Sequence, residues 1–176
     1  MNRYFLISSL PLLNLGQAPR ITAEGFLAVC REQLGDGANM GAVEALMTSK
    51  PSTHPFVTAW RNKDTALRNA IVKARADNAD PAQWLRPVLG DDDSEIERLV
   101  EEAFRQSDPL RQENALDKAR WILVEGLQGL DPTDIKVVLA YAVKLSLALR
   151  WAALDAERGR ETFNTLTQLP DGLITL

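Results

Sequence analysis

The most apolar part of the chain, residues 131–169, places the strongest constraint on its fold. Between Val137 and Leu149 the only charged side chain is Lys144. Apolar side chains recur at helical spacing on two faces, with Ile135, Val138, Leu139, Ala142, Leu145 and Leu149 on one and Val137, Tyr141, Ala148 and Trp151 on the other. A helix that is apolar on more than one face is usually surrounded by other helices. The stretch therefore predicts a central helix, or two helices in line, with Asp131 as its cap and Pro132 in its first turn.

Further segments combine an apolar face with signals for the start or end of a helix. Thr22 is a suitable cap for a helix that runs to Leu34 and stops at Gly35. The other segments predicted to be helical are residues 56–78, residues 94–104 after a capping-box pattern, and residues 108–127 after Asp108-Pro109.

Weaker patterns lie between these segments. They predict a short strand or an irregular apolar segment at residues 4–15, a loop at 36–41, at most a short helix at 42–47, and a short helix at 80–87. The predicted fold is all-α, a bundle of about six or seven helices around a central apolar C-terminal helix. We expect a single helical domain over residues 1–176, in which residues 1–50 could form a small N-terminal lobe.

Composition excludes several classes of function. Net charge is −4, from 20 basic and 24 acidic residues, whereas nucleic-acid binders usually carry a basic excess. Cys30 is the one cysteine, so no internal disulfide is expected, and with His54 as the one histidine no Cys/His metal site is expected. We predict that Cys30 is a small buried hydrophobe and that His54 lies at the surface or at a helix start. No cofactor is predicted.

The N-terminal residues 1–18 loosely imitate a secretory signal, but Pro11 interrupts the apolar run and the basic region is minimal. A buried N-terminal segment is the favoured interpretation. No stretch of the chain is long and uncharged enough to predict a transmembrane helix.

Polar side chains inside the apolar patterns are the candidates for a functional surface. Asp117 and Arg120 are three residues apart and can pair on one helix. Arg61, Arg68 and Arg75 form a basic helix face, which is either solvated or meets an acidic partner. Six residues are candidates for partner binding: Arg61, Arg68, Asn69, Arg75, Lys144 and Arg150.

Four stretches carry a resemblance to a known family. They are RYFLISSLPLL at 3–13, ITAEGFLAVCREQL at 21–34, WRNKDTALRNAIVKARA at 60–76, and the segment 115–163 from ALDKARWILVEGL to LAYAVKLSLALRWAALDAERGRETF. In these stretches the chain resembles a bacterial family of unknown activity that is encoded beside V/A-type ATPase genes. More loosely, its order of an aromatic segment, a helix, an Asn-bearing basic helix and long apolar helices is similar to the C-type (eukaryotic d-type) proteins of V-type and other rotary ATPases, which are longer.

The resemblance implies a role without an enzymatic reaction. The d-type proteins are all-helical and sit between the membrane rotor ring and the central shaft. A similar role would make this chain a cytoplasmic structural or coupling component, or an assembly component, of a V/A-type ATPase. It would be peripheral to the inner membrane through partner subunits of the central stalk or rotor ring, and it could form a homo-oligomer in isolation.

Two alternatives belong to other classes of function. One is a small-molecule or lipid binding helical module with a cavity among Trp60, Trp84, Trp121 and Trp151. The other is an enzyme that uses carboxylates and arginines from helix ends, which requires a cleft with perturbed acids.

Overall fold

The computed structural model describes residues 3–76, 80–90 and 94–154, which contain seven α-helices and no strand. The helices are α1 (Arg3–Ser9), α2 (Ala23–Leu34), α3 (Ala38–Thr48), α4 (Pro55–Arg75), α5 (Ser94–Phe104), α6 (Pro109–Gln128) and α7 (Ile135–Ala152). A single 3₁₀ turn, Ala82–Trp84, lies between α4 and α5. The prediction of an all-α bundle is therefore confirmed.

The residues predicted to start and to end α2 and α6 do so in the structure. Thr22 Oγ1 accepts a hydrogen bond from the Gly25 N–H at 3.0 Å, and Gly35 follows the last turn of α2 with a φ of 65°. At α6 the Asp108 carboxylate accepts from the Leu110 N–H at 3.0 Å. Gly129 follows that helix with a φ of 76°, a backbone conformation that favours glycine.

The start of the central helix differs from the prediction. Asp134, not Asp131, caps α7, and its carboxylate accepts from the Lys136 N–H at 3.0 Å. The Asp131 carboxylate instead accepts from the backbone N–H and the hydroxyl of Thr133, at 2.8 and 2.7 Å, and closes a turn before the helix. Residues 155–169 of the predicted helix lie outside the described residues.

Three weaker predictions also need correction. Residues 3–9 form α1, a helix where the sequence predicts a strand or irregular segment, and α1 ends before Pro11 because a residue preceding proline disfavours helical angles. Helix α3 begins at Ala38 and includes four residues predicted as loop, among them Gly41, since a glycine inside a helix is only a modest cost. The predicted helix at 80–87 is reduced to the 3₁₀ turn.

Two hydrophobic cores hold the helices together. The first contains residues of α1, α2, α3 and α7, with the start of α4 and Val124 of α6, and Phe26, Leu139 and Leu145 in it are fully buried. The second is built from α4, α5 and α6 around Leu67 and Leu116. Trp60 of α4 packs against both cores. Helices α4 and α6 therefore run through the junction between the two cores.

The packing of α7 confirms that it is a central helix. Its buried residues are Val138, Leu139, Ala140, Ala142, Val143, Leu145 and Ala148. Helices α1, α2, α3 and α6 all contact it. None of the helices in the described residues combines the length and the apolar character needed to cross a bilayer.

Candidate functional site

Asp117 of α6 is the one buried charged side chain among the described residues. Its carboxylate accepts hydrogen bonds from Arg120 Nη1 at 2.8 Å, from Trp151 Nε1 at 2.7 Å and from the Arg150 guanidinium. A charge removed from water is costly unless it is paired and hydrogen-bonded. Asp117 meets this requirement because two cations and an indole N–H surround it.

The contacts of Asp117 extend into a network that joins three helices. Arg120 Nε donates to Asp64 Oδ1 of α4 at 3.2 Å, and Arg68 Nη2 lies 2.7 Å from Asp64 Oδ2. Arg150 of α7 also donates to Glu113 Oε1 at 3.2 Å. We call this set the Asp117 network; its members are Asp64, Arg68, Glu113, Asp117, Arg120, Arg150 and Trp151.

The Asp117 network forms part of the wall of a cleft between α3, α4, α6 and α7. The cleft has a volume of about 610 Å³. We call it the arginine cleft after its charged lining residues, which are Arg61, Asp64, Arg68, Asp117, Arg120 and Arg150. Its apolar lining includes Leu46 of α3, Trp60 of α4, and Val143 and Leu147 of α7. A lining of this kind can hold both a charged group and an apolar body.

The structure brings three of the six candidate partner-binding residues together in this cleft. Arg61, Arg68 and Arg150 all line it. The Arg61 guanidinium donates to the carbonyl of Ala45 at 3.3 Å and to that of Lys50, so it ties α4 to the end of α3. These two partners are neutral backbone groups, and they do not balance the charge of Arg61.

Asn69 lies away from the cleft and holds an extended segment of the chain. Its side-chain amide donates to the Arg86 carbonyl at 2.7 Å and accepts from the Arg86 N–H at 3.0 Å. Asn62, seven residues earlier on α4, binds both backbone groups of Leu89 in the same way, at 2.7 Å each. The two asparagines form a clamp on residues 86–89.

The other two candidate residues contact aromatic rings. The guanidinium of Arg75 lies 5.9 Å from the centre of the Phe104 ring. Lys144 Nζ lies 2.8 Å from Glu125 Oε1 and 5.2 Å from the centre of the Trp121 ring. All six candidates thus contact groups of their own chain, and partner binding by them stays a prediction.

Lys144 also lines a second depression, of about 280 Å³, which we call the N-terminal groove. Its walls come from Ile7 and residues 10–13, from the second half of α6 and from α7. The Tyr141 hydroxyl donates to the Pro11 carbonyl at 2.9 Å and fixes the segment that follows α1. The prediction of a buried N-terminal segment holds only in part, because Leu6 and Leu13 are buried but Tyr4, Phe5 and Leu12 are exposed.

Cys30 and His54 have the structural roles that the sequence predicts. Cys30 is fully buried, and burial raises the pKa of its thiol to about 12. Tyr141, whose ring centre lies 5.2 Å from that of Phe26, has its pKa raised to about 12 by burial and, secondarily, by Cys30. His54 precedes α4, and its Nδ1 accepts from the Phe56 N–H at 3.3 Å.

Sequence reasoning missed the members of the Asp117 network that are joined to it by contacts between helices. Asp64 is only a break in the apolar stripe of α4, and Glu113 carries no signal that it would meet Arg150. Asn62 and Asn69 do carry a signal, because residues seven apart lie on one helix face. The four tryptophans are dispersed, with Trp60 at the arginine cleft, Trp121 at the N-terminal groove and Trp84 exposed.

The described residues contain no group of three or more His, Cys, Asp or Glu side chains arranged to hold a metal ion. Among known protein families, a family described as a protein of unknown function, DUF2764, matches residues 88–171, just under half of the chain. The matched region includes α5, α6 and α7. No curated protein and no solved structure matches the chain.

Proposed function

We propose that this protein is a non-enzymatic structural or coupling component, or an assembly component, associated with a V/A-type ATPase. It docks on the central stalk or the rotor ring at the cytoplasmic face and reaches the membrane only through these partner subunits. ATP hydrolysis and ion movement take place in other subunits. The resemblance of residues 3–13, 21–34, 60–76 and 115–163 to the family encoded beside V/A-type ATPase genes motivates the proposal.

The observation that carries the docking role is the exposure of large apolar side chains near the N-terminus. Tyr4 is 70% exposed, Phe5 55% and Leu12 84%. Exposed apolar side chains that lie together are typical of surfaces that bind another protein. Leu12 lines the N-terminal groove, where Lys144 adds a positive charge at the wall, and Tyr4 and Phe5 belong to α1, the helix that contributes Ile7 to the same groove.

The contacts beneath this surface support docking by a rigid body. Tyr141 holds the Pro11 carbonyl at 2.9 Å, and Leu6 and Leu13 are buried in the first core. A partner would therefore meet a surface that is already ordered, which lowers the entropic cost of binding. An ordered docking surface suits a component that transmits force or position between subunits.

Co-purification from native membranes tests the proposal. The tagged wild-type protein is expected to bring down central-stalk or rotor subunits of the ATPase. Leu12→Asp, which places a charge in the docking surface, is expected to lose them. The matched control Leu110→Asp changes a 60% exposed leucine on α6 and is expected to retain them.

Two results would count against the proposal. Recovery of no ATPase subunit with the wild-type protein would refute the association, and equal losses in the two variants would refute the assigned surface. Light scattering on the isolated protein shows whether the same apolar surface drives homo-oligomerisation, which Leu12→Asp should then abolish.

A second candidate function is a small-molecule or lipid binding helical module. The volume of the arginine cleft and its mixture of guanidinium and apolar groups support it.

A further inference from the structure

The charges around the arginine cleft do not balance. In the Asp117 network three guanidiniums face three carboxylates. Their ion pairs are Arg68–Asp64, Arg120–Asp64, Arg120–Asp117, Arg150–Asp117 and Arg150–Glu113. Arg61 lines the same cleft, but its partners among the described residues are backbone carbonyls. Arg61 and the Asp117 network together therefore carry one excess positive charge, and the charged residues that line the cleft, four arginines and two aspartates, carry an excess of two.

The excess charge lies on the side of the cleft that α4 provides. Arg61 and Arg68 are seven residues apart and so share one face of α4. The side chain of Arg68 is 61% exposed, whereas those of Arg120 and Asp64 are each 16% exposed. Arg68 therefore has donor groups within reach of a ligand, since a guanidinium carries five N–H donors in a planar fork.

The size and the apolar lining of the cleft indicate a small organic ligand. The volume of about 610 Å³ lies within the range of roughly 300–1,000 Å³ that is typical of small-molecule sites. An α-helix of a partner, about 10–12 Å across, is a much larger body. Trp60, Val143 and Leu147 offer apolar surface beside the guanidiniums.

We propose that the arginine cleft binds a small organic acid, with its carboxylate or phosphate group on Arg61 and Arg68 and its apolar body against Trp60. Guanidinium forks match the planar oxygen pairs of carboxylates and the oxygens of phosphates, which is why arginine is common in such sites. The proposal rests on the second candidate function, a small-molecule binding module, and is independent of the N-terminal docking surface and of the proposed association with an ATPase.

Ligand-observed NMR titrations of the full chain test this site with three probes that share an aromatic ring. Benzoate supplies a carboxylate, phenyl phosphate supplies a phosphate, and benzyl alcohol is uncharged. At least one of the two anions is expected to bind, with an affinity that falls as salt is added, and the alcohol is expected not to bind. The anion that binds more tightly identifies the headgroup of the natural ligand.

A pair of exposed arginines provides the variant and its matched control. Arg68→Gln is expected to raise the Kd of the bound anion about tenfold, since a hydrogen bond to a charged group contributes about 1.5 kcal/mol or more. Arg98→Gln removes an arginine of α5 that is 64% exposed, outside the cleft, and is expected to leave the Kd unchanged. Arg68 makes its ion pair within its own helix, so the variant is expected to fold.

Three outcomes would overturn the proposal. They are the absence of binding by both anions, equal binding of the alcohol, and equal effects of Arg68→Gln and Arg98→Gln on the Kd.

Discussion

Replacing Asp117 by asparagine is the most direct test of how the helices are held together. The substitution keeps the size of the side chain but removes its charge. One carboxylate oxygen accepts from Arg120 at 2.8 Å, and the other accepts from Trp151 at 2.7 Å and from Arg150. An amide offers one oxygen and one NH₂ group, so in either orientation an N–H donor of the new side chain faces a donor of its neighbours.

The expected loss follows from the burial of these groups. Removing one member of a buried ion pair costs about 3–5 kcal/mol, because the partner charge is left uncompensated. Asp117 is fully buried, but Arg120 is 16% exposed and keeps Asp64 as a partner, and Arg150 is 45% exposed and keeps Glu113. We therefore expect Asp117→Asn to lower the free energy of unfolding by about 3 kcal/mol, at the lower end of that range. For a chain of this length such a loss corresponds to a fall in Tm of about 6–12 °C.

Urea denaturation followed by circular dichroism measures the loss. The matched control is Glu102→Gln, which makes the same carboxylate-to-amide change at an exposed pair with Arg98, 3.7 Å apart. We expect this control to cost at most about 0.5 kcal/mol. A loss for Asp117→Asn as small as that of the control, with an unchanged m-value, would refute the assigned importance of the Asp117 network.

Three further predictions concern the clamp, the buried thiol and the first core. Replacing both Asn62 and Asn69 by alanine should release residues 86–89, and limited proteolysis should then cleave this segment faster than in the wild type, whereas unchanged protection would contradict the clamp. Because the folded Cys30 thiol holds its proton up to a pKa of about 12, the unfolded state, with a value near 9.0, loses its proton first as pH rises. The free energy of unfolding should therefore be independent of this group below pH 9 and should fall between about pH 9 and 12. Denaturation curves recorded across this pH range measure the fall, which should be shallower for the Cys30→Ala variant than for the wild type. Phe26→Ala should cost about 3–5 kcal/mol in urea denaturation, since Phe26 is fully buried in the first core, and a cost near zero would contradict that placement.

The fold could be predicted from sequence where a single segment carries its own signals. Thr22 and Gly35 fix the ends of α2, and the apolar faces of residues 135–149 predict the central position of α7. The predicted start of α7 is wrong because Asp131 and Asp134 are both good caps. Only the structure shows that Asp131 bonds to Thr133 instead.

The candidate site could be predicted only in part, because it depends on contacts between distant segments. The pair of Asp117 with Arg120 lies on one helix, and spacing alone predicts it. The contact of Arg120 with Asp64 joins residues 56 positions apart, and that of Arg150 with Asp117 joins residues 33 apart. A local sequence pattern does not determine the angles at which α4, α6 and α7 pack against one another.

The position of α4 between the two cores explains why its polar side chains make contacts within the protein. Residues 61–66 are all partly buried, so this part of the helix has no face that is simply solvated.

Seven residues of helix, from Asn62 to Asn69, span about 10.5 Å, and three extended residues, from 86 to 89, span about 10 Å. This match lets each asparagine bind both backbone groups of one residue, Leu89 for Asn62 and Arg86 for Asn69. A shift of one residue that brings Pro87 opposite Asn69 would lose a hydrogen bond, because proline has no N–H, so the clamp disfavours that register.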